Sequence, residues 1–495
     1  MVESSQQQNA ETSDDELEEE LEESSPLVAR IGRFGGVALA AVALGCTHPA
    51  LGGLGGLSSD ASWVLALLAL MATWWVTLAV EPALTGLVPF VVLSALSIGK
   101  PVEIAAPYAD DVMFLFGGGA LLALGLERTG VSARFATLLV RIAGSSPLRV
   151  LAAVMVGSAL ISAFVSNLAT AATMLPMAVA LGARARAAAP DDAMRAAAER
   201  FTTSLLLGVA FGSSIGGALT IIGSPPNPIA VKWLVQNGVE MDFVRWLRFS
   251  VPTTLVFLPL AIAILGVWLF PTRGLVVPPE TQASQPIGRD GFAALCVFAL
   301  AVCAWVTQPL YKPTFPGVKD GTIAIAAATL LFLIPSTRGK RKAILDPSAF
   351  AKVPWRVLVL FGGGLCLAEA MQRSGLSQSL GSAIHAAGVL PPLALLAILV
   401  AVLVFASEVA SNTTLTAMAV PIVGALAPGL GIAPEKLVVP AVFAASWAFA
   451  LPVGTPPNAL VFASGRVRAR DMMRAGIVLD FVSIAVIVVM SSILL

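Results

Sequence analysis

The sequence predicts an all-α polytopic membrane protein, with about eleven transmembrane helices and two re-entrant hairpins arranged as two inverted repeats. Three observations carry that expectation: an apolar composition, an internal repeat, and a charge bias that differs between equivalent positions of the two halves. Of 495 residues, 57% are hydrophobic and 12% charged, with a mean hydropathy of +0.87; a soluble globule could not cover so apolar a surface. The apolar residues form continuous runs of roughly 17–25 residues rather than alternating segments of roughly ten, which selects helices over a barrel. Helices also satisfy every backbone polar group internally, as hydrocarbon demands.

The repeat is legible at a fixed register. An offset of 245 residues carries Ser166-Asn167-Leu168 onto Ser411-Asn412-Thr413, Phe116-Gly117-Gly118-Gly119 onto Phe361-Gly362-Gly363-Gly364, Ser162 onto Ser407 and Pro176 onto Pro421. Further on, Gly223-Ser224-Pro225-Pro226-Asn227 matches Gly454-Thr455-Pro456-Pro457-Asn458 at an offset of 231. The chain is therefore a tandem repeat of one membrane unit.

Net charge is zero only because opposed regions cancel. Residues 1–25 hold ten acids and no base, leaving the remainder with twenty acids against thirty bases, or +10. Residues 1–28 are expected to be a disordered, acidic cytoplasmic tail. It does not start basic and then turn apolar, as a cleavable signal peptide would. Cys46, Cys296, Cys303 and Cys366 lie in or beside apolar segments without CxxC spacing, and His48 and His385 stand alone. A disulfide framework, a histidine metal centre and a catalytic triad are thereby disfavoured.

In chain order, Arg30 and Arg33 precede a span near 35–56, placing the N-terminus in the cytoplasm. Spans near 63–80 and 83–96 follow, then one opened by Asp110-Asp111 and closed by Glu127-Arg128. The stretch 147–182 is flanked by Arg128, Arg134, Arg141 and Arg149 on one side and by Arg184, Arg186, Arg195 and Arg200 on the other. Interrupted by Ser-Asn and then by Pro176, it reads as a hairpin entering from the cytoplasm. A broken helix over 202–231 and a span near 250–270 complete residues 29–270, the first span plus the first repeat. A cytoplasmic linker, 271–290, leads to the second repeat, 291–495. This holds spans near 291–309, 321–335 and 355–372, a hairpin over 391–428, a broken helix over 437–464 and a last span over 475–495. Only Arg373 and Lys436 flank the second hairpin, so it is expected to enter from outside, and the C-terminus to lie outside.

A Ser-Asn pair at the tip of a broken helix offers hydroxyl, amide and freed carbonyl oxygens, which suit a hard cation such as Na⁺. The same break exposes the N-terminus of the next half-helix, whose N–H groups and dipole favour an anion. The Gly-Ser/Thr-Pro-Pro-Asn strings repeat this on an unwound helix: two prolines remove donors, and glycine admits close backbone approach. A plain proline kink is the alternative for one such string, and two matched copies argue against it. The glycine runs read as close-packing surfaces and lack nucleotide-binding spacing. Among acids at membrane depth, Glu408 stands three residues before Ser411, with a structural pairing role or a coupling role; Glu81, Glu127, Glu369 and Asp480 read as interface anchors.

These motifs resemble the divalent anion/sodium symporter family of dicarboxylate, citrate and sulfate carriers, over about residues 35–495. The resemblance implies a homodimer working by an elevator motion, with Na⁺ as coupling ion and a small divalent anion, most simply a C4-dicarboxylate, as substrate. It implies one Na⁺ site at Ser162, Ser166, Asn167 and Gly223 and another at Ser407, Ala410, Asn412 and Gly454. The anion would lie between the hairpin tips, near Ser166, Asn167, Ser224, Ser411, Asn412, Thr413 and Thr455. Leu168 departs from the pattern, standing where the family has threonine, and so removes a hydroxyl from the expected carboxylate contacts. Na⁺-independent exchange, sulfate transport and proton-coupled export of an anion or metalloid are the alternatives on the same fold. An intramembrane hydrolase would need a nucleophile and base, and no HExxH or GxSxG string lies in a span. A passive channel fits paired broken helices less well than alternating access, and no feature points to nucleic acid.

Overall fold

The computed structural model describes residues 26–51, 56–278, 287–337, 342–386 and 391–495. The acidic stretch 1–25, the middle of the linker and Arg338, Lys340 and Arg341 lie outside the described residues. The described residues are helical, with no strand among them. The principal helices are α1 (Pro26–Thr47), α2 (Ser59–Thr77), α3 (Pro82–Ala95), α4 (Asp111–Arg128), α5 (Val131–Ala143), α6 (Pro147–Ser162), α7 (Asn167–Ala187), α8 (Asp192–Gly217), α9 (Pro226–Gln236) and α10 (Phe243–Ala263). After the linker come α11 (Arg289–Tyr311), α12 (Asp320–Leu333), α13 (Trp355–Arg373), α14 (Leu376–Ala386), α15 (Pro392–Ser407), α16 (Asn412–Gly429), α17 (Glu435–Ser446), α18 (Pro456–Ala463) and α19 (Ala469–Leu494).

Local chemistry sets the ends. Ser58, Glu81, Asp110, Asp191 and Asp242 each accept a hydrogen bond from a backbone N–H in the first turn of α2, α3, α4, α8 and α10, satisfying donors a helix start leaves open. Seven helical stretches are long and apolar enough to cross a bilayer: those over 27–47, 59–77, 101–128, 167–187, 243–269, 289–311 and 469–494. Helices α3, α6, α12, α15 and α16 are apolar but shorter.

The structure departs from the sequence expectations in three places. The first helix begins at Pro26, earlier than expected, and ends at Thr47. The stretch after Arg128, expected only as a basic flank of the hairpin, is the amphipathic helix α5, bounded by Gly130 and Gly144 at φ 72° and 71°, with α14 at the equivalent place in the second half. Pro176 and Pro421 do not interrupt their hairpins; α7 and α16 run through them. The missing N–H bonds there are tolerated because packing holds the helix on both sides of the proline.

Packing pairs equivalent elements with equivalent partners. Helix α4 packs on α12, and its counterpart α13 on α3; α6 and α7 pack on α8, and α15 and α16 on α17. Each hairpin's second limb also reaches the other half: α7 packs on α18 and α16 on α9. The glycine runs are close-approach surfaces. A side-chain carbon on Gly118 would lie 2.8 Å from the Ala324 backbone, and one on Gly363 only 2.1 Å from the Gly86 carbonyl oxygen. Phe116 and Phe361, which the sequence offset of 245 relates, meet edge to face with centroids 5.5 Å apart. Lys232 of α9 ion-pairs with Asp110 at the start of α4.

Candidate substrate and ion site

In the first half the hairpin turns between Ser162 and Asn167. The Ser166 hydroxyl accepts the Ala169 N–H at 3.1 Å and starts α7, which leaves Asn167 at the tip. The Ser162 hydroxyl donates to Asn167 Oδ1 at 2.6 Å. Opposite, the chain leaves α8 at Gly217 and re-enters helix only at Pro226. Asn227 Nδ2 bridges this break by donating to the carbonyls of Gly217 (2.8 Å) and Thr220 (2.7 Å), and the Thr220 hydroxyl donates to the Ala163 carbonyl. A side-chain carbon on Gly223 would lie 2.7, 2.8 and 3.0 Å from the carbonyl oxygens of Gly217, Ala163 and Ser162. Three carbonyls thus converge where only glycine fits, beside Asn167. Ser162, Asn167 and Gly223 are brought together as expected, and the oxygen set suits a hard monovalent cation.

The second half is built differently. Asn412 Nδ2 donates to the Ser446 carbonyl at 3.3 Å, while its Oδ1 is buried with no hydrogen-bond partner among the described residues. The Ser407 hydroxyl donates to the Val404 carbonyl at 2.7 Å, with the Ala444 carbonyl 3.4 Å away. Ala410 is bound through its N–H to the Ala406 carbonyl, and its own carbonyl is the group it offers. Between α17 and α18 the break over 447–455 is held by Asn458, whose Nδ2 donates to Ala448 (3.3 Å) and Leu451 (3.1 Å) carbonyls. It is held again by Glu408, whose carboxylate accepts the N–H groups of Phe449 (2.6 Å), Ala450 (2.8 Å) and Leu451 (2.6 Å). A side-chain carbon on Gly454 would lie 2.9 Å from Glu408 Oε2. Glu408 is therefore a clamp on the unwound backbone. Asp480 is not an interface anchor: it is wholly buried and its carboxyl lies against that of Glu408. Glu81 caps α3 and Glu369 pairs with Arg373.

A cavity of about 170 Å³ lies between the two tips. It is lined by Ser166 and Asn167 from one, Asn412 and Thr413 from the other, Gly223-Ser224-Pro225-Pro226 and Gly454, and by one face of α4 through Phe116, Ala120, Ala123 and Glu127. Of the expected anion contacts, Ser166, Asn167, Ser224, Asn412 and Thr413 line it, whereas Ser411 and Thr455 do not. Ser411 sits in the turn before α16, and the buried Thr455 turns its hydroxyl to the Asn458 N–H at 3.3 Å. Leu168 is also absent from the lining, with 2% of its surface exposed; its neighbour Ala169 faces the cavity instead. The residue reading missed Thr220, Asn227 and Asn458, although the two asparagines end the matched proline strings, and it missed Glu127 and Lys352 as lining residues.

The model of the family described as citrate transporter matches residues 67–438, three quarters of the chain. The chain belongs to the citrate transporter family. The sodium-dependent dicarboxylate transporter SdcS of Staphylococcus saprophyticus is 35% identical over 453 residues, covering 87% of this chain and 86% of that one. The protein of the same name from Staphylococcus aureus is 33% identical over 438 residues, covering 86% and 84%. Among solved structures, the Alcanivorax borkumensis YdaH transporter superposes with a TM-score of 0.58 at 15% identity, covering 79% of this chain and 86% of that chain, and so supports the fold alone. The resemblance read from the Ser-Asn and Pro-Pro-Asn motifs is borne out. The protein is an integral membrane transporter and not an enzyme.

Proposed function

We propose that this transporter couples Na⁺ to the symport of a divalent anion, most simply a C4-dicarboxylate, by an elevator-type movement. The carrying observation is the joint construction of the cavity by both hairpin tips beside the Gly223 oxygen cradle. A dianion in a low-dielectric site needs compensating charge. Among the described lining residues only Lys352 is basic, and it is offset by Glu127. Na⁺ held by Ser162, Ser166, Asn167 and Gly223 on one side and by Ser407, Ala410, Asn412 and Gly454 on the other would supply that charge next to the anion. Binding of the anion then depends on prior or simultaneous binding of Na⁺, which is coupling. The N-termini of α7 and α16, with Ser166, Ser224, Asn167, Asn412 and Thr413, offer donors to the two carboxylates. Both relatives named above carry sodium and dicarboxylate in their names.

The packing favours movement of one body against another: α6 to α10 and α15 to α19 pack mainly among themselves, as do α1 to α4 with α11 to α13. Inverted repeats, a cytoplasmic N-terminus, an outer C-terminus and a homodimer complete the reading. The cavity runs along α4 to Glu127 and Lys352; with the cytoplasmic N-terminus of this reading, that opening would face the cytoplasm.

Purified protein in liposomes tests this with succinate, malate, fumarate, citrate and sulfate, with and without a Na⁺ gradient. Asn167→Ala and Asn412→Ala are each expected to abolish Na⁺-driven uptake while the protein still elutes as a single folded species. Uptake by either variant with the Na⁺ dependence of the parent would refute the ion sites.

A further inference from the structure

A second cavity, of about 190 Å³, lies away from this site. Its walls are the end of α5 (Val140, Arg141, Gly144), the last turns of α7 (Leu181, Arg184) and the segment after α10 at Pro278. The walls are tied together: the Arg184 guanidinium donates to the Pro278 carbonyl, and the Val277 N–H donates to the Ser145 carbonyl at 3.0 Å. Arg141 makes no side-chain hydrogen bond or ion pair with any described residue, and no acid is among the described residues that line the cavity. A third guanidinium stands at the rim, since a side-chain carbon on Gly144 would lie 4.0 Å from Arg149 Nη2. An exposed guanidinium, Arg141, and a half-buried one, Arg184, with no counter-charge among the described lining residues, make a receptor for an anion of phosphate type.

The surroundings say what carries that phosphate. Helix α5 buries Val131, Ala136, Val140 and Ala143 against the protein. It leaves Leu138 (52% exposed) and Ile142 (72% exposed) on its outer side, one turn apart and beside Arg141. Apolar side chains next to an arginine-lined cavity, on an amphipathic helix at the basic ends of membrane helices, fit a headgroup whose own acyl chains continue into the bilayer. A free phosphate ion would use the arginines but leave Leu138 and Ile142 uncovered.

We propose that this cavity binds the phosphate of an anionic phospholipid, with Arg141 and Arg184 as its counter-charges and Leu138 and Ile142 against its chains. Because α5 is the connection between α4 and the first hairpin, lipid bound there also fixes the position of that connection.

Native mass spectrometry of the full-length protein, titrated with phosphatidylglycerol and with phosphatidylcholine of equal chain length, provides the test. Phosphatidylglycerol is expected to be retained selectively, and Arg141→Gln to weaken its retention about fivefold, the loss expected for one arginine at an anionic headgroup. Leu138→Ser with Ile142→Ser is expected to weaken it as well. Arg184 also holds Pro278, so Arg141→Gln, with folding confirmed by a single elution peak, is the primary variant. Equilibrium dialysis with radiolabelled inorganic phosphate separates the two sources and is expected to show no saturable binding. Equal retention of the two lipids, or equal phosphatidylglycerol retention by parent and Arg141→Gln, overturns the proposal. So does saturable inorganic phosphate binding that Arg141→Gln removes, which would make this a free-anion site.

Discussion

A methyl group on Gly223 would press within 3.0 Å of three carbonyl oxygens from Gly217, Ala163 and Ser162. Gly223→Ala should therefore fill the cradle while leaving the helices in place, because neither α8 nor α9 contains this residue. Displacing an oxygen from a bound cation costs on the order of 1.5–3 kcal/mol. The Na⁺ concentration for half-maximal uptake should rise roughly tenfold or more, and a Na⁺ titration of uptake unchanged from the parent would show that the carbonyls serve only the backbone. At this scale the sequence was partly legible. Ser162, Asn167 and Gly223 were readable because a repeated motif marks them, and repetition survives without knowledge of the fold. The orientation of each side chain was not. Leu168 stood out as a departure from threonine, yet α7 turns it into the protein and presents Ala169 to the cavity. Motif spacing gives the register along a helix but not its rotation, which packing on α8 and α18 decides.

At the scale of elements, the two unwound segments are held by different chemistry. The position equivalent to Glu408 in the first half is Ala163, and that half uses Thr220 and Asn227 where the second uses Glu408 and Asn458. Glu408→Gln keeps one acceptor oxygen but turns an NH₂ group toward backbone donors. At least one buried N–H then loses its partner, at a cost of about 1–3 kcal/mol. The expected result is a lowered thermal midpoint together with weaker Na⁺ dependence, and a melting curve identical to the parent's would show that the clamp is dispensable. The breaks themselves were legible from paired prolines, because a chain without two N–H groups cannot continue a helix. The amphipathic α5 was not, since Arg134 and Arg141 read from the sequence only as the basic flank of the hairpin. Pro176 and Pro421 misled in the opposite sense, as tertiary packing kept their helices continuous.

For the whole molecule, the repeat predicts a topology that labelling can read. In a background without the four native cysteines, a cysteine at Arg195 should react only with reagent on the cytoplasmic side and one at Lys436 only from outside. Both side chains are exposed in the first turns of α8 and α17, and reaction of both from one side would exclude inverted halves. The interlocking of those halves also bears on how the chain is made. Helices α9 and α18 have only 11 and 8 residues, too few to span a bilayer, where roughly 20 are needed. Each is completed by the opposite half: α9 rests on α16, and α18 on α7. A nascent chain that has emerged only as far as its first repeat therefore lacks α16 to support α9 and α18 to cover α7. Those contacts close only once residues 456–463 have been synthesised, so the earliest functional segment of the protein is among the last to be sealed.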